Sequence, residues 1–243
     1  MSHHCEDEHH DHSHGHDHDA PIATNPNQSL YSNIDTANVR CFNTVTLGLP
    51  RQMEAYKSFL KDQDSKFNCS SYLQSDADCQ MIIHIPFVGN CKLFSLILRT
   101  NANDHESELN SPRTIKLFKN FNQSVDFDTL QTRKEDYKLE HPENVGLRDS
   151  RVETNDDENT FVEHYLPRRS FQNCSSLTLF VEDNWSGNED EYCRCYYLEI
   201  RGEFSGHRVL NNGVPIINAY EAVPNPLDHQ KLENEGDEIG LGF

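Results

Sequence analysis

Apolar positions are densest between residues 71 and 98, SYLQSDADCQMIIHIPFVGNCKLFSLIL, and their pattern there is that of strands. Residues 81–85 form a short apolar run rich in β-branched side chains, preceded by the polar Ser75, Asp76, Ala77 and Asp78. A run of that length is too short for a stable helix and reads as a buried strand after a turn. Pro86 has no amide hydrogen to give a ladder, and Gly89 and Asn90 tolerate positive φ, so residues 87–90 are expected to connect two strands. The second, residues 91–98, sets Phe94, Leu96 and Leu98 on one face and Leu93 and Ile97 on the other. Apolar on both faces, it belongs inside a sandwich.

Shorter patterns flank this centre. Leu30, Tyr31 and Ile34 are the first spaced apolar anchors, after a polar linker over residues 20–29 that contains Pro21 and Pro26. Residues 39–43 read as an edge strand. Met53, Tyr56, Phe59 and Leu60 recur at helical spacing after Pro50 and predict a short amphipathic helix packed on the core. In residues 114–118, Ile115 and Leu117 alternate with Lys116 and Phe118, which is a strand pattern. Val125 and Phe127 alternate with Asp126 and Asp128, predicting a half-buried edge strand over residues 120–129. The two aspartates lack the spacing of a calcium loop and read as a solvated face. Residues 131–159 are charged and nearly without large apolar groups, the composition of a long structureless loop. Strand character returns in residues 161–166, 177–181 and 193–200. Many strands without a strong long helix imply an all-β antiparallel sandwich.

Composition narrows the partners. The 243 residues suit one domain, and a net charge of −19, from 40 Asp and Glu against 21 Lys and Arg, repels phosphate backbones and anionic lipid. No nucleic-acid partner is expected. No apolar run approaches the roughly 20 residues that span a bilayer, and the N-terminus has no apolar signal region, so a soluble intracellular protein with no membrane partner is expected. The eight cysteines are scattered through apolar strands and read as buried thiols rather than a disulfide framework. Cys193 and Cys195 have the wrong spacing for a redox pair. Five Asn-X-Ser patterns, at Asn27, Asn68, Asn122, Asn173 and Asn184, are read as chance in an Asn-rich chain.

Candidate chemistry is sparse. His3, His4, His9, His10, His12, His14, His16 and His18 stand among carboxylates in a segment with no large apolar residue, which is expected to be a disordered tail. Such imidazoles could wrap Zn, Cu or Ni, and His3 or His4 as third residue could join a free amine and two amides around square-planar Cu(II) or Ni(II). A solubilising tail that gains charge as the imidazoles protonate is the preferred reading, and no cofactor is expected. His84, His105, His141, His164, His207 and His229 are dispersed, with no neighbouring Ser, Cys or carboxylate at a catalytic spacing. His229, after the Pro226 turn, is read as a staple for the C-terminal segment. Trp185, the single tryptophan, lies in an inter-strand loop where an aromatic can anchor a partner or cover a loop end; Tyr220 and Glu221 are further candidates for partner contact.

Several segments together resemble the PITH domain family. They are Ser75, Asp76, Ala77 and Asp78 running into Ile85, Pro86 and Phe87; PRTIKLFKN at 112–120 with Asp126, Phe127 and Asp128; FQNCSSLTLFVEDN at 171–184; and NAYEAVPNPLDH at 218–229. The resemblance runs from about Leu30 to Lys231, leaving residues 1–29 as tail and linker and residues 232–243 as a flexible acidic tail. It implies a jelly-roll β-sandwich of the galactose-binding-like kind, docking on the regulatory particle of the 26S proteasome, no catalysis, a monomer, and a cytoplasmic and nuclear location. With too little chain before Leu30 for a thioredoxin fold and no Cys-X-X-Cys, this sequence resembles the branch of the family in which the domain stands alone. The alternative function is a small-ligand module, either a carbohydrate-binding jelly roll or a metal buffer acting through the His-rich tail.

Overall fold

In a computed structural model of the chain, one 20-residue strand, β4 (Met81–Thr100), belongs to both layers of a sandwich. The structure describes residues 22–50, 52–103, 108–121, 125–148 and 153–206, together with the backbone of two short paired strands, Arg208–Val209 and Pro215–Ile216. The other strands of the sandwich are β1 (Arg40–Phe42), β2 (Thr44–Leu47), β3 (Tyr72–Ser75), β5 (Thr114–Lys119), β6 (Tyr137–Glu140), β7 (Val162–Tyr165), β8 (Cys174–Val181) and β9 (Arg194–Phe204). The first half of β4 pairs with β1 and β8, and β8 continues through β5 to β6. Its second half pairs with β9 and β7, and β9 continues through β3 to β2. Every pairing between these named strands is antiparallel, and the two layers close on one shared core in a jelly-roll β-sandwich.

The crossing between layers falls where a connection is expected from the sequence. Residues 87–90 are strand, not loop: Pro86 lies opposite Ser176, and the register against β8 then slips until Cys91 meets Cys174. A proline is tolerated at such an irregularity because the ladder there asks for no amide hydrogen. Its carbonyl is still used, accepting from the Asp35 amide at 2.8 Å. A second irregularity corrects the faces of residues 91–98. Leu93 opposes Gly202 and Ser95 opposes Arg201, so Phe94 is the extra residue of a bulge. The bulge reverses the alternation, and Leu93 joins Leu96 and Leu98 in the core while Phe94 lies half-buried under the Arg168 guanidinium, 4.2 Å from its ring centroid. A third slip, between Arg99 and Thr100, does the same for β9 and brings Cys195 and Leu198 onto one face.

Three further expectations are revised. The helix after Pro50 is one 3-10 turn, Ala55–Ser58; it ends because the Phe59 carbonyl must accept the Leu198 amide at 2.9 Å, which seats Phe59 and Leu60 in the core and leaves Met53 exposed. Residues 120–129 are not an edge strand. Asp126 is the N-cap of a short helix, α1 (Phe127–Thr132), its Oδ1 accepting from the Thr129 amide at 2.8 Å. That helix turns Leu130 onto Ile82, Phe118, Phe121 and Phe180, so the outer face of β5 and β8 is covered by a second small core. Finally, the charged stretch 131–159 contains β6, which pairs Leu139 with Ile115, and buries Leu139, His141 and Leu147. Leu30 and Ile34 anchor as expected, the Leu30 amide donating to the Ile200 carbonyl at 2.9 Å, whereas Tyr31 stays exposed.

The two layers are joined differently on their two sides. On one side the chain itself turns the corner from β1 to β2 at Asn43, with φ 52°. The Asn43 amide donates to Asp78 Oδ1 and the Gln80 carbonyl, both at 2.7 Å, and its oxygen accepts from the Ala77 amide at 3.0 Å, which fixes the turn before β4. On the other side, side chains that follow β6 and belong to β7 meet.

Candidate functional site

Those side chains are His141 and His164. His164, opposite Leu96 on β7, sits 2.9 Å through Nε2 from His141 Nδ1, and His141 Nε2 is 3.0 Å from Thr100 Oγ1. Thr100 donates its hydroxyl to the Asn101 carbonyl at 3.2 Å, so it accepts from His141, which in turn accepts from His164. Burial lowers both imidazoles, His141 to about 3, with the neighbouring His164 adding to the effect, and His164 to about 4. Both are neutral, and both ring nitrogens of His141 are committed to the clasp. The pair the sequence left dispersed is therefore a structural link between the layers, and only folding reveals it.

Trp185 closes the same end. Its indole N–H donates to the His141 carbonyl at 2.8 Å, its amide donates to the Ser111 carbonyl at 3.2 Å, and the Arg113 guanidinium lies 5.6 Å above its ring. The ring is half-buried. Neighbouring Asn184 is fully buried, donating to the carbonyls of Asn188 and Glu191 at 2.7 and 3.2 Å. Tyr220, Glu221, His229, His105, His207 and the eight tail histidines, His3, His4, His9, His10, His12, His14, His16 and His18, lie outside the described residues.

The thiols are equally withdrawn. All seven described cysteines are free, and all but Cys41 are buried. Burial pushes Cys91, Cys174, Cys195 and the half-buried Cys41 up to about 12 and Cys79 to about 11, which suppresses the thiolate that nucleophilic or metal chemistry requires. Among the described residues no group of three or more His, Cys, Asp or Glu is placed to hold a metal ion.

Outward-facing chemistry gathers on the layer made by β9, β4 and β7. A cavity of about 190 Å³ there is lined by Lys66, Ile97, Glu158, Phe161, Glu163, Tyr197, Glu199 and Arg201. Strand register explains the grouping: Ile97 opposes both Glu163 and Glu199, so their side chains share the face turned away from the core. Glu199 is buried and accepts from Gln63 Nε2 at 2.6 Å, from the Tyr197 hydroxyl at 2.9 Å and from Arg201 Nε at 2.9 Å. Glu163 Oε1 accepts from the hydroxyls of Ser95, at 2.6 Å, and Thr24. Among the described residues its Oε2 accepts only from the Tyr165 hydroxyl, at 3.3 Å. At the rim Lys66 pairs with Glu158 at 3.0 Å.

Two buried cations, Lys61 and Arg99, are held by hydrogen bonds, the second of them behind the Phe161 ring of this cavity. Lys61 donates to the carbonyls of Asn68, Ser71 and Tyr196 at 2.7, 2.8 and 2.9 Å, and burial lowers its ammonium to about 8. Arg99 donates to Thr160, Cys69 and Asn155 and stacks on Phe161 at 4.5 Å. Sequence alone could not mark this cavity, because its residues come from four separate stretches that only strand register brings together.

Comparison with known proteins agrees with the residue-level resemblance. The PITH domain matches residues 20–221. A PITH domain-containing protein of Drosophila pseudoobscura pseudoobscura is 32% identical over 209 residues, 86% of this chain and 83% of its own length. One from Schizosaccharomyces pombe is 27% identical and covers 96% of this chain and 95% of its own length. The human PITH domain-containing protein 1 is 27% identical over 83% of this chain and 80% of its own. Among solved structures, a CBM32 module of a Clostridium perfringens family 31 glycoside hydrolase superposes on 73% of this chain and 96% of its own with a TM-score of 0.40 at 9% identity. A fucolectin from striped bass serum covers 69% of this chain and 46% of its own with a TM-score of 0.38 at 11% identity. At those scores the architecture rests on the strand pairing already described. The match over residues 20–221 and the relatives' similarity across most of the chain agree, and the chain belongs to the PITH domain family.

Proposed function

We propose that this chain is a non-catalytic docking domain that attaches to the regulatory particle of the 26S proteasome in the cytoplasm and nucleus, acting as a monomer. The observation that carries the reading is membership of the PITH domain family across most of the chain. The inward chemistry fits it: the described thiols have little thiolate at neutral pH, and the His141–His164 pair is spent on holding two layers together. A rigid sandwich that turns a polar, aromatic-floored cavity outward is a scaffold for recognition. The test is capture of purified regulatory particle by the tagged full chain, with and without added zinc, and by a chain lacking residues 1–19. Stoichiometric capture by both, unaffected by zinc, is the expected result and assigns the His-rich tail an accessory role. Absence of capture by the full chain refutes the reading.

A further inference from the structure

The cavity on the β9–β4–β7 face carries an unbalanced charge at a defined place. Glu199 is matched by Arg201 at 2.9 Å and Glu158 by Lys66 at 3.0 Å. Arg99, behind the Phe161 ring, is offset by the nearby Asp156 and Asp157. Among the described residues Glu163 is the carboxylate in excess: its nearest cation, Arg201 Nη1, makes only a long contact at 4.0 Å and donates to Thr24 at 3.1 Å, so neutral hydroxyls supply the hydrogen bonds to this carboxylate. One unmatched carboxylate beside an aliphatic and aromatic floor, Ile97 and Phe161, is the chemistry of a site for a single organic cation with an apolar stem.

The hydrogen bonding also selects which cation. Glu163 Oε1 is occupied by two hydroxyls, and only Oε2 has acceptor capacity to spare. A guanidinium gains its advantage from gripping both oxygens at once, and that grip is blocked here. An ammonium needs one oxygen. We infer that this cavity receives a lysine side chain presented by a protein partner, its stem over Ile97 and Phe161 and its ammonium on Glu163 Oε2. The strongly acidic chain favours a partner with basic groups at the contact. The inference rests on the docking reading only in taking a protein as the source of the lysine.

The test uses the full chain and small probes, followed by NMR through the Ile97 methyl and the backbone amides of β7. Nα-acetyl-lysine methylamide is expected to shift these signals saturably with weak affinity, and the neutral Nα-acetyl-norleucine methylamide is not. Glu163→Gln is expected to weaken the lysine probe roughly tenfold, the effect of losing one charge-assisted hydrogen bond. Because Glu163 also receives three hydroxyls, a second variant guards against misfolding: the exposed Glu158→Gln leaves Lys66 unmatched at the rim and is expected to weaken the same probe. A full response from the norleucine probe, no response from the lysine probe, or an arginine probe binding as well as lysine overturns the inference. Proteasome capture without a lysine response removes the cavity assignment alone, and a lysine response without capture removes the docking reading alone.

Discussion

Acidification should draw stability from the sandwich through the histidine clasp. His141 and His164 are depressed to about 3 and about 4 in the folded chain, from 6.5 for an unburied imidazole. Groups with depressed folded values contribute stability that is complete above the unfolded value, and lose it as pH falls toward the folded values. The window therefore runs from 6.5 down to about 3. At about pH 5 the unfolded chain has already taken up nearly both protons while the folded chain has taken up almost none, which costs about 2 kcal/mol per imidazole and about 4 kcal/mol for the pair. His84, also lowered by burial, adds in the same direction. Against a typical domain stability of about 5–15 kcal/mol, that is a large share. The assay is urea unfolding at about pH 7.5 and about pH 5, on the wild-type chain and on His164→Gln, whose amide can still reach His141 but does not titrate. The wild type should lose about 2 kcal/mol more stability between the two conditions than the variant, the share of the one imidazole removed. Because both chains share every carboxylate, the comparison cancels the relief of charge repulsion that acid brings to this acidic protein. Equal losses in the two chains would refute the reasoning.

Other substitutions test separate parts of the fold. Removing the α1 cap with Asp126→Ala should cost about 1 kcal/mol in chemical unfolding, whereas Asp128→Ala, one residue into the helix, should cost less. Gly202 sits where a Cβ would lie 2.1 Å from the Lys92 carbonyl, so Gly202→Ala must push β9 from β4 and should cost more than about 2 kcal/mol, read as a fall in urea midpoint; a neutral result would mean the strands are not so closely apposed. In the native chain, a chromogenic disulfide reagent should leave Cys69, Cys79, Cys91, Cys174, Cys193 and Cys195 unlabelled until denaturant is added, and mass mapping of labelled peptides checks each site. Rapid labelling of any of the six would contradict its placement in the core.

Much of the sandwich could be read from periodicity alone, and its failures share one cause. Residues 81–85, 114–118 and 177–181 alternate or run apolar because their neighbours on both sides are strands, and local pattern suffices. Where a strand slips register, the pattern misleads: Phe94 has the spacing of a core residue and is the one that leaves the core, because a bulge is decided by the partner strand and not by the sequence around it. Asp126 failed for a related reason. Its alternation with Phe127 mimics an edge strand, and only the uncovered Phe118 and Phe180 explain why a helix is needed there. The candidate site was less legible still. Trp185 was found by its rarity, yet its indole N–H is committed to the His141 carbonyl, while the cavity around Glu163 is assembled by strand register across β4, β7 and β9 and leaves no local mark.

One strand shared by both layers has a consequence for how the molecule comes apart. Residues of β4 hold β1 and β8 at one end and β9 and β7 at the other, so neither layer can open without disturbing the strand that centres its neighbour. Amide exchange along Met81–Thr100 should accordingly share a single opening free energy, that of global unfolding. A chain nicked between Val88 and Gly89, where the strand passes from one layer to the other, would yield two fragments that each contain half of a sheet's centre and no closed core, and that regain protection only on recombining.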